Sequence, residues 1–220
     1  MYYLIMGATC AGKDKIASYI VDNFENYKTL ISTTSRPIRP NEKEGVEYYF
    51  ISKEEFLKRI EAGELIEYRT YETTVNGIKD VWYYGLEKKH VTDMESNYVV
   101  VIDYKGGLEF QEYIGKENTF MIYVESKYTD RYVRNVLRGD FNSQEWLRRN
   151  KDDAAWLLKA AEDAQFTLTN YGFNYPPNPN KNDKYAPNTI DIPMYEEEYD
   201  FSYSEDQVHI ILNSLPNKKE

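Results

Sequence analysis

Cysteine occurs once and histidine twice in the 220 residues, so the chain can form no internal disulfide and has little material for a Cys/His metal centre. His90 and His209 have no metal-like partners nearby in the sequence and are expected to be structural. Basic residues are also short: 27 Lys and Arg stand against 37 Asp and Glu, a formal net charge of −10. Nucleic acid is therefore not an expected partner, because a phosphodiester backbone is held by clustered cations. Small anions can still bind where a few cations converge. No apolar run approaches the roughly 20 residues that span a bilayer, and strand-like sequence already begins at Tyr2. These absences predict a cytoplasmic protein with no membrane anchor and no cleaved signal. Cys10 fits a reducing compartment and reads as a structural residue rather than a redox switch. Against these shortages, apolar residues make up 41% of the chain, enough for one domain with a sizeable core and insertions.

Residues 7 to 14, Gly-Ala-Thr-Cys-Ala-Gly-Lys-Asp, directly follow the apolar run Tyr2-Tyr3-Leu4-Ile5-Met6. After them Ile16, Ala17, Ile20, Val21 and Phe24 recur at helical spacing. A strand, a glycine-bearing loop and a helix in that order form a phosphate cradle. Gly7 and Gly12 let the backbone curl, so that successive N–H groups and the helix N-terminus point at the anion. Lys13 adds a mobile cation for the outer phosphates. The candidate donor site is Gly7, Ala8, Thr9, Cys10, Ala11, Gly12, Lys13 and Asp14. Asp14 stands where a Ser or Thr hydroxyl would hold Mg2+, and a carboxylate there can bind the ion directly or through water.

Short apolar runs alternate with helical patterns along the chain. Strands are predicted near 2–6, 28–32, 97–102, 119–124 and 166–169, and helices near 13–24, 53–62, 128–138, 143–163 and 205–215. That alternation predicts an α/β fold with a parallel sheet covered by helices. Capping signals stand at Ser52 with Glu55, at Asn142 or Ser143, and at Ser204 with Gln207, while Gly63 and Gly139 mark helix ends. The run Tyr98-Val99-Val100-Val101-Ile102 is apolar on both faces and should lie inside the sheet. Asp103 follows it, at the strand end outside which ligands bind in open α/β sheets.

The second informative segment is Ser32-Thr33-Thr34-Ser35-Arg36-Pro37-Ile38-Arg39-Pro40, followed by Glu44-Gly45-Val46-Glu47-Tyr48-Tyr49-Phe50. Two arginines three residues apart, with a proline stiffening the link, suit a grip on one phosphate from two sides. At this point the chain resembles the guanylate kinases. Their Ser, Thr-Thr pair, paired arginines, Gly-x-x-Tyr-x-Phe and acidic helix ending in Ile-Glu-Tyr are matched through Glu67, and the likeness runs over roughly residues 1–170. The resemblance implies a P-loop kinase core at 1–31, 87–130 and 150–220, a nucleotide-monophosphate-binding region at 32–86 and a helical lid at 131–149. It implies that Arg36, Arg39, Tyr48 and Tyr84 hold the acceptor phosphate, and that Ser32, Glu67 and Asp103 read guanine. It also implies that Arg134, Arg138 and Arg149 clamp the moving phosphoryl group and that Asn170 faces the adenine of ATP. The chemistry of the base agrees: one carboxylate such as Glu67 can accept both N1–H and the N2 amine of guanine, whereas adenine has no N1 proton. Arg131 and Arg148, with neighbouring acids, can instead form a salt-bridged surface.

The expected activity is ATP- and Mg2+-dependent phosphorylation of GMP or dGMP, with small nucleotides as partners. Three departures widen that expectation. Leu86 follows Tyr84-Gly85 where the family has Ser or Thr, and it can neither donate nor accept a hydrogen bond. Val101 replaces the first acid of the family's Asp-x-Asp, leaving Asp103. Asp14 in Gly-Lys-Asp is shared with phage-type deoxynucleotide kinases and ribose-bisphosphate kinases, and the unusual insertions fit a phage or prophage setting. Alternative readings are therefore a kinase for another (deoxy)nucleoside monophosphate or a ribose bisphosphate, a non-catalytic phosphoprotein-binding module, and a GMP sensor without turnover. Between Glu67 and Tyr84 a longer link carries Asn76-Gly77, a hairpin signal. The segment 171–203, rich in Tyr, Asn and Pro, reads either as disordered or, the favoured reading, as an ordered surface excursion, after which Val208, Ile211, Leu212 and Leu215 are expected to form an amphipathic helix.

Overall fold

The computed structural model describes residues 1–39, 42–75, 78–91, 96–138 and 141–170. Their elements run β1 (Tyr2–Gly7), α1 (Lys13–Asn23), β2 (Tyr27–Thr29), β3 (Thr33–Thr34), β4 (Tyr49–Phe50), α2 (Lys53–Glu61), β5 (Leu65–Val75) and β6 (Ile78–Glu87). They continue with β7 (Asn97–Val101), α3 (Tyr104–Ile114), β8 (Thr119–Glu125), α4 (Tyr128–Leu137), α5 (Ser143–Ala154), α6 (Leu157–Asp163) and β9 (Phe166–Thr169). Met1–Asn170 forms one compact unit. The predicted excursion at 171–203 and the helix at 205–215 lie outside the described residues, as do Gly139 and His209.

The main sheet is parallel, in the order β2-β7-β1-β8-β9. Its centre is β1, all six residues of which are buried, because a strand covered on both faces must be apolar on both. β7 lies between β2 and β1, inside the sheet as its apolar run predicts. One face packs Tyr2, Leu4, Met6, Tyr98, Val100 and Ile102 against Phe110 of α3, with the Tyr2 ring stacked on Tyr98 at 5.3 Å and edge-on to Phe110 at 5.2 Å. No helix among the described residues is long and apolar enough to cross a membrane.

A second sheet, β4-β3-β6-β5, grows from the antiparallel hairpin β5/β6. Its ladder runs to Val75 opposite Ile78, and the hairpin signal Asn76-Gly77 lies outside the described residues. The length of these strands is not readable from the sequence, because their polar residues mask the alternation. α3 was also not anticipated, since Gly106-Gly107 reads as a loop. The helix needs those small residues: a Cβ on Gly106 would come within 2.9 Å of Ile102 and 3.0 Å of the Glu67 carboxylate. The long helix predicted over 143–163 is two helices. Between them Trp156 leaves helical geometry and turns its ring onto Tyr104 at 6.5 Å. The expected caps are present where described: Ser52 accepts from the Glu55 N–H and Asn142 from the Glu145 N–H.

Candidate functional site

The loop after β1 is fixed by tight packing. A side chain at Gly7 would strike the Val124 carbonyl at 2.6 Å, so only glycine lets β1 pass β8 and turn into the loop. Cys10 adopts φ 59°, a left-handed conformation uncommon without glycine, and its thiol is buried. Lys13 folds back over the loop and donates to the carbonyls of Gly7 and Ala8, both at 2.9 Å. Burial holds its ammonium below the ordinary lysine range, against the pull of Asp14 and Asp153. Asp14 is exposed in the first turn of α1.

Groups from distant sequence meet this loop. Asp153 of α5 accepts the Thr9 N–H at 2.6 Å, and burial pushes its carboxyl above the ordinary range despite Thr9, Lys13 and Arg131. Arg131 donates to the Thr9 carbonyl at 3.2 Å and to Asn150 at 2.8 Å, while its guanidinium lies over the Tyr128 and Trp146 rings. It is therefore a buried loop neighbour rather than part of the salt-bridged surface the sequence suggested. Arg148 does form such a surface, pairing with Glu145 at 2.7 Å and Asp152 at 2.6 Å. Arg134 is buried and donates to the Cys10 carbonyl at 3.2 Å, to Ser126 at 2.8 Å and to the Asn170 side chain at 3.1 Å. Asn170 in turn donates to the Ala11 carbonyl at 2.7 Å. Arg138 is exposed at the end of α4, with its charge felt at Lys13, and Arg149 is tied to Glu145 at 2.6 Å.

The paired arginines converge on one anion of the chain itself. Arg36, only 3% exposed, places both terminal nitrogens 2.8 Å from the two oxygens of Glu42. The Arg39 backbone N–H reaches the same carboxylate at 2.9 Å and its side chain approaches to 3.6 Å. Burial pushes Glu42 up, but these hydrogen bonds outweigh it and hold the carboxyl below its ordinary range. Arg36 also lies over the rings of Tyr48 and Phe50, and Tyr48 meets Tyr84 edge-on at 5.8 Å. Burial, then the nearby charge of Asp14, raises the Tyr48 hydroxyl far above its ordinary value.

A third cluster forms where β5 meets α3. Glu67 is 6% exposed, and burial raises its pKa to about 8; Arg69 opposes that shift, while Asp103 and Glu109 add to it. Asp103 caps α3 by accepting the Gly106 N–H at 2.7 Å. It also meets Arg69 at 3.4 Å and the Tyr71 hydroxyl at 3.5 Å. Ser32 stands just before β3, its carbonyl bound to the Tyr49 N–H. Leu86 pairs with Glu67 across the ladder and is wholly buried in the core. A recess of about 480 Å³ opens beside β5, lined by Glu67, Arg69, Lys105 and Glu109; the arginines of the second segment do not reach it. His90 packs on the Tyr49 ring at 4.5 Å, as a structural residue would.

Sequence reasoning missed Arg69, Glu42 and Asp153. Glu42, three residues after Arg39, carried a readable local signal, whereas Asp153 meets a loop 144 residues away and carried none.

The family model for guanylate kinase matches residues 1–168. The guanylate kinase of Thermotoga maritima is 31% identical over 76% of this chain and 78% of its own. That of Salinibacter ruber is 28% identical over 73% of this chain and 82% of its own. Among solved structures, the guanylate kinase of Anaplasma phagocytophilum aligns with a TM-score of 0.52 and 25% identity, over 77% of this chain and 76% of that one. With the family model matching residues 1–168 and a relative 31% identical over 78% of its own length, the chain belongs to the guanylate kinase family.

Proposed function

We propose that the protein works in the cytoplasm and transfers the γ-phosphoryl group of ATP to the phosphate of GMP or dGMP. The observation that carries this reading is that one compact unit presents both a glycine loop with Lys13 folded over it and a second oxyanion grip, in which both terminal nitrogens of Arg36 and the Arg39 N–H hold a single carboxylate. A donor-phosphate cradle and an acceptor-phosphate grip are what transfer between two phosphates requires. An acceptor phosphate oxygen bonds to the γ-phosphorus, the bond from that phosphorus to the bridging oxygen breaks, and ADP leaves.

The loop amides and Lys13 hold the donor phosphates, with Thr9 exchanging Asp153 for phosphate and Lys13 leaving the carbonyls of Gly7 and Ala8. Arg36, Arg39, Tyr48 and Tyr84 hold the acceptor phosphate. Glu42 supports that role, since its two oxygens on the Arg36 fork occupy the geometry of a bound oxyanion. Ser32, Glu67 and Asp103 read the base, while Arg134, Arg138 and Arg149 neutralise charge as it moves. Residues 32–86 act as the acceptor region and 131–149 as the lid. No cluster of three or more acidic, histidine or cysteine ligands occurs among the described residues. Mg2+ needs only one or two carboxylates beside phosphate oxygens and water, so the exposed Asp14 suits it. When bound, the ion neutralises phosphate charge. Phosphorus NMR of the protein with ATP, Mg2+ and GMP tests the reading: the β-phosphate signal of GDP should appear as that of γ-ATP fades, and an unchanged spectrum would refute it.

A further inference from the structure

Glu67 can serve only the donor side of guanine, N1–H and the N2 amine. The adjoining atoms O6 and N7 are acceptors and need donors, and Leu86 supplies none. Arg69 stands two positions after Glu67 on β5, so the two side chains leave the strand on the same face. Its Nη1 lies 3.9 Å from the Glu67 carboxylate and 3.0 Å from Glu109, and its Nε lies 3.4 Å from Asp103. Its Nη2 is buried without a hydrogen-bond partner. Buried guanidinium donors are nearly always paired, so an unpaired one beside a base-reading carboxylate implies an acceptor brought by the ligand. Nη1 also donates to the Tyr68 carbonyl at 2.5 Å, which with Glu109 takes up both its hydrogens. The side-by-side guanidinium and carboxylate mirror the edge of guanine, and the open Nη2 end of the arginine fork can reach O6 and N7 with its two N–H groups. Adenine would set its 6-amino donor against the same fork. Resting on the guanine-acceptor reading above, we propose that Arg69 is a specificity-determining residue that donates to O6 and N7 of the acceptor guanine, supplying the contact that Leu86 cannot make.

The test compares kcat/KM of the full-length protein for GMP, 6-thio-GMP and 7-deaza-GMP with that of Arg69→Ala and Arg69→Lys. The unaltered protein should disfavour each analogue. Arg69→Ala should lose about 10- to 100-fold on GMP, chiefly through KM, and should treat GMP and the analogues alike. Arg69→Lys keeps a cation beside Asp103 and Glu109 without the fork, and should recover only part of the discrimination. If Arg69→Ala does not fold, as judged by circular dichroism, the same comparison is decided by Arg69→Lys. Variants that discriminate as the unaltered protein does would reduce Arg69 to a structural ion-pair partner and overturn the inference. Absence of GMP turnover in the unaltered protein would overturn the acceptor reading, and the inference with it.

Discussion

Glu67, buried and proposed to read the acceptor base, would tie stability to recognition. Its pKa rises from 4.5 in the unfolded reference to about 8 in the fold, so the folded state binds the proton more tightly. Its contribution to stability is fully present below about 4.5 and is lost as pH rises towards 8. The Glu67→Gln variant should lose that slope and, at pH 8, melt at a higher temperature than the unaltered protein. In the proposed role guanine is held by the ionised form, so kcat/KM for GMP should climb as pH rises towards 8 in the unaltered protein and stay flat and low in Glu67→Gln. Parallel profiles in thermal melts and in kinetics would remove Glu67 from both roles. Lys13 is the proposed group on the donor side. Lys13→Ala should lower kcat by about a hundredfold or more with a much smaller change in ATP affinity, and equal turnover would contradict its placement.

At the scale of elements, legibility followed the range of the interactions. β1, α1 and β7 were readable because burial on both faces or on one stripe leaves a periodic apolar signature. Asp103 was placed correctly after β7, and the structure makes it the cap of α3. α3 itself was hidden by the Gly106-Gly107 pair, of which Gly106 serves the close approach of Ile102 and Glu67 rather than local propensity. The two-helix break at Trp156 was hidden for the same reason, since the indole turns toward Tyr104 from another part of the chain. Arg131 and Asp153 carry α4 and α5 onto the phosphate loop, a long-range arrangement with no local pattern. If the donor phosphate takes the Thr9 N–H from the Asp153 carboxylate, as proposed, Asp153→Asn should bind ATP several-fold more tightly in calorimetry while lowering the melting temperature. Weaker ATP binding in that variant would make Asp153 a support of the site rather than a competitor.

For the whole molecule, a net charge of −10 coexists with ligands that are themselves anions. The resolution is local: Lys13, Arg131 and Arg134 gather at the phosphate loop, and Arg36 and Arg39 gather in the second segment. Raising salt from low to physiological strength should raise KM for GMP more than it lowers kcat, because exposed Arg39 is screened while buried Arg36 is not. The most direct test of the account is a coupled ADP-release assay with ATP and Mg2+ against GMP, dGMP, AMP, dTMP, dCMP and ribose 1,5-bisphosphate. The account predicts turnover confined to GMP and dGMP. Turnover of ribose bisphosphate or another base, or ATP binding with no turnover of any acceptor, would contradict it.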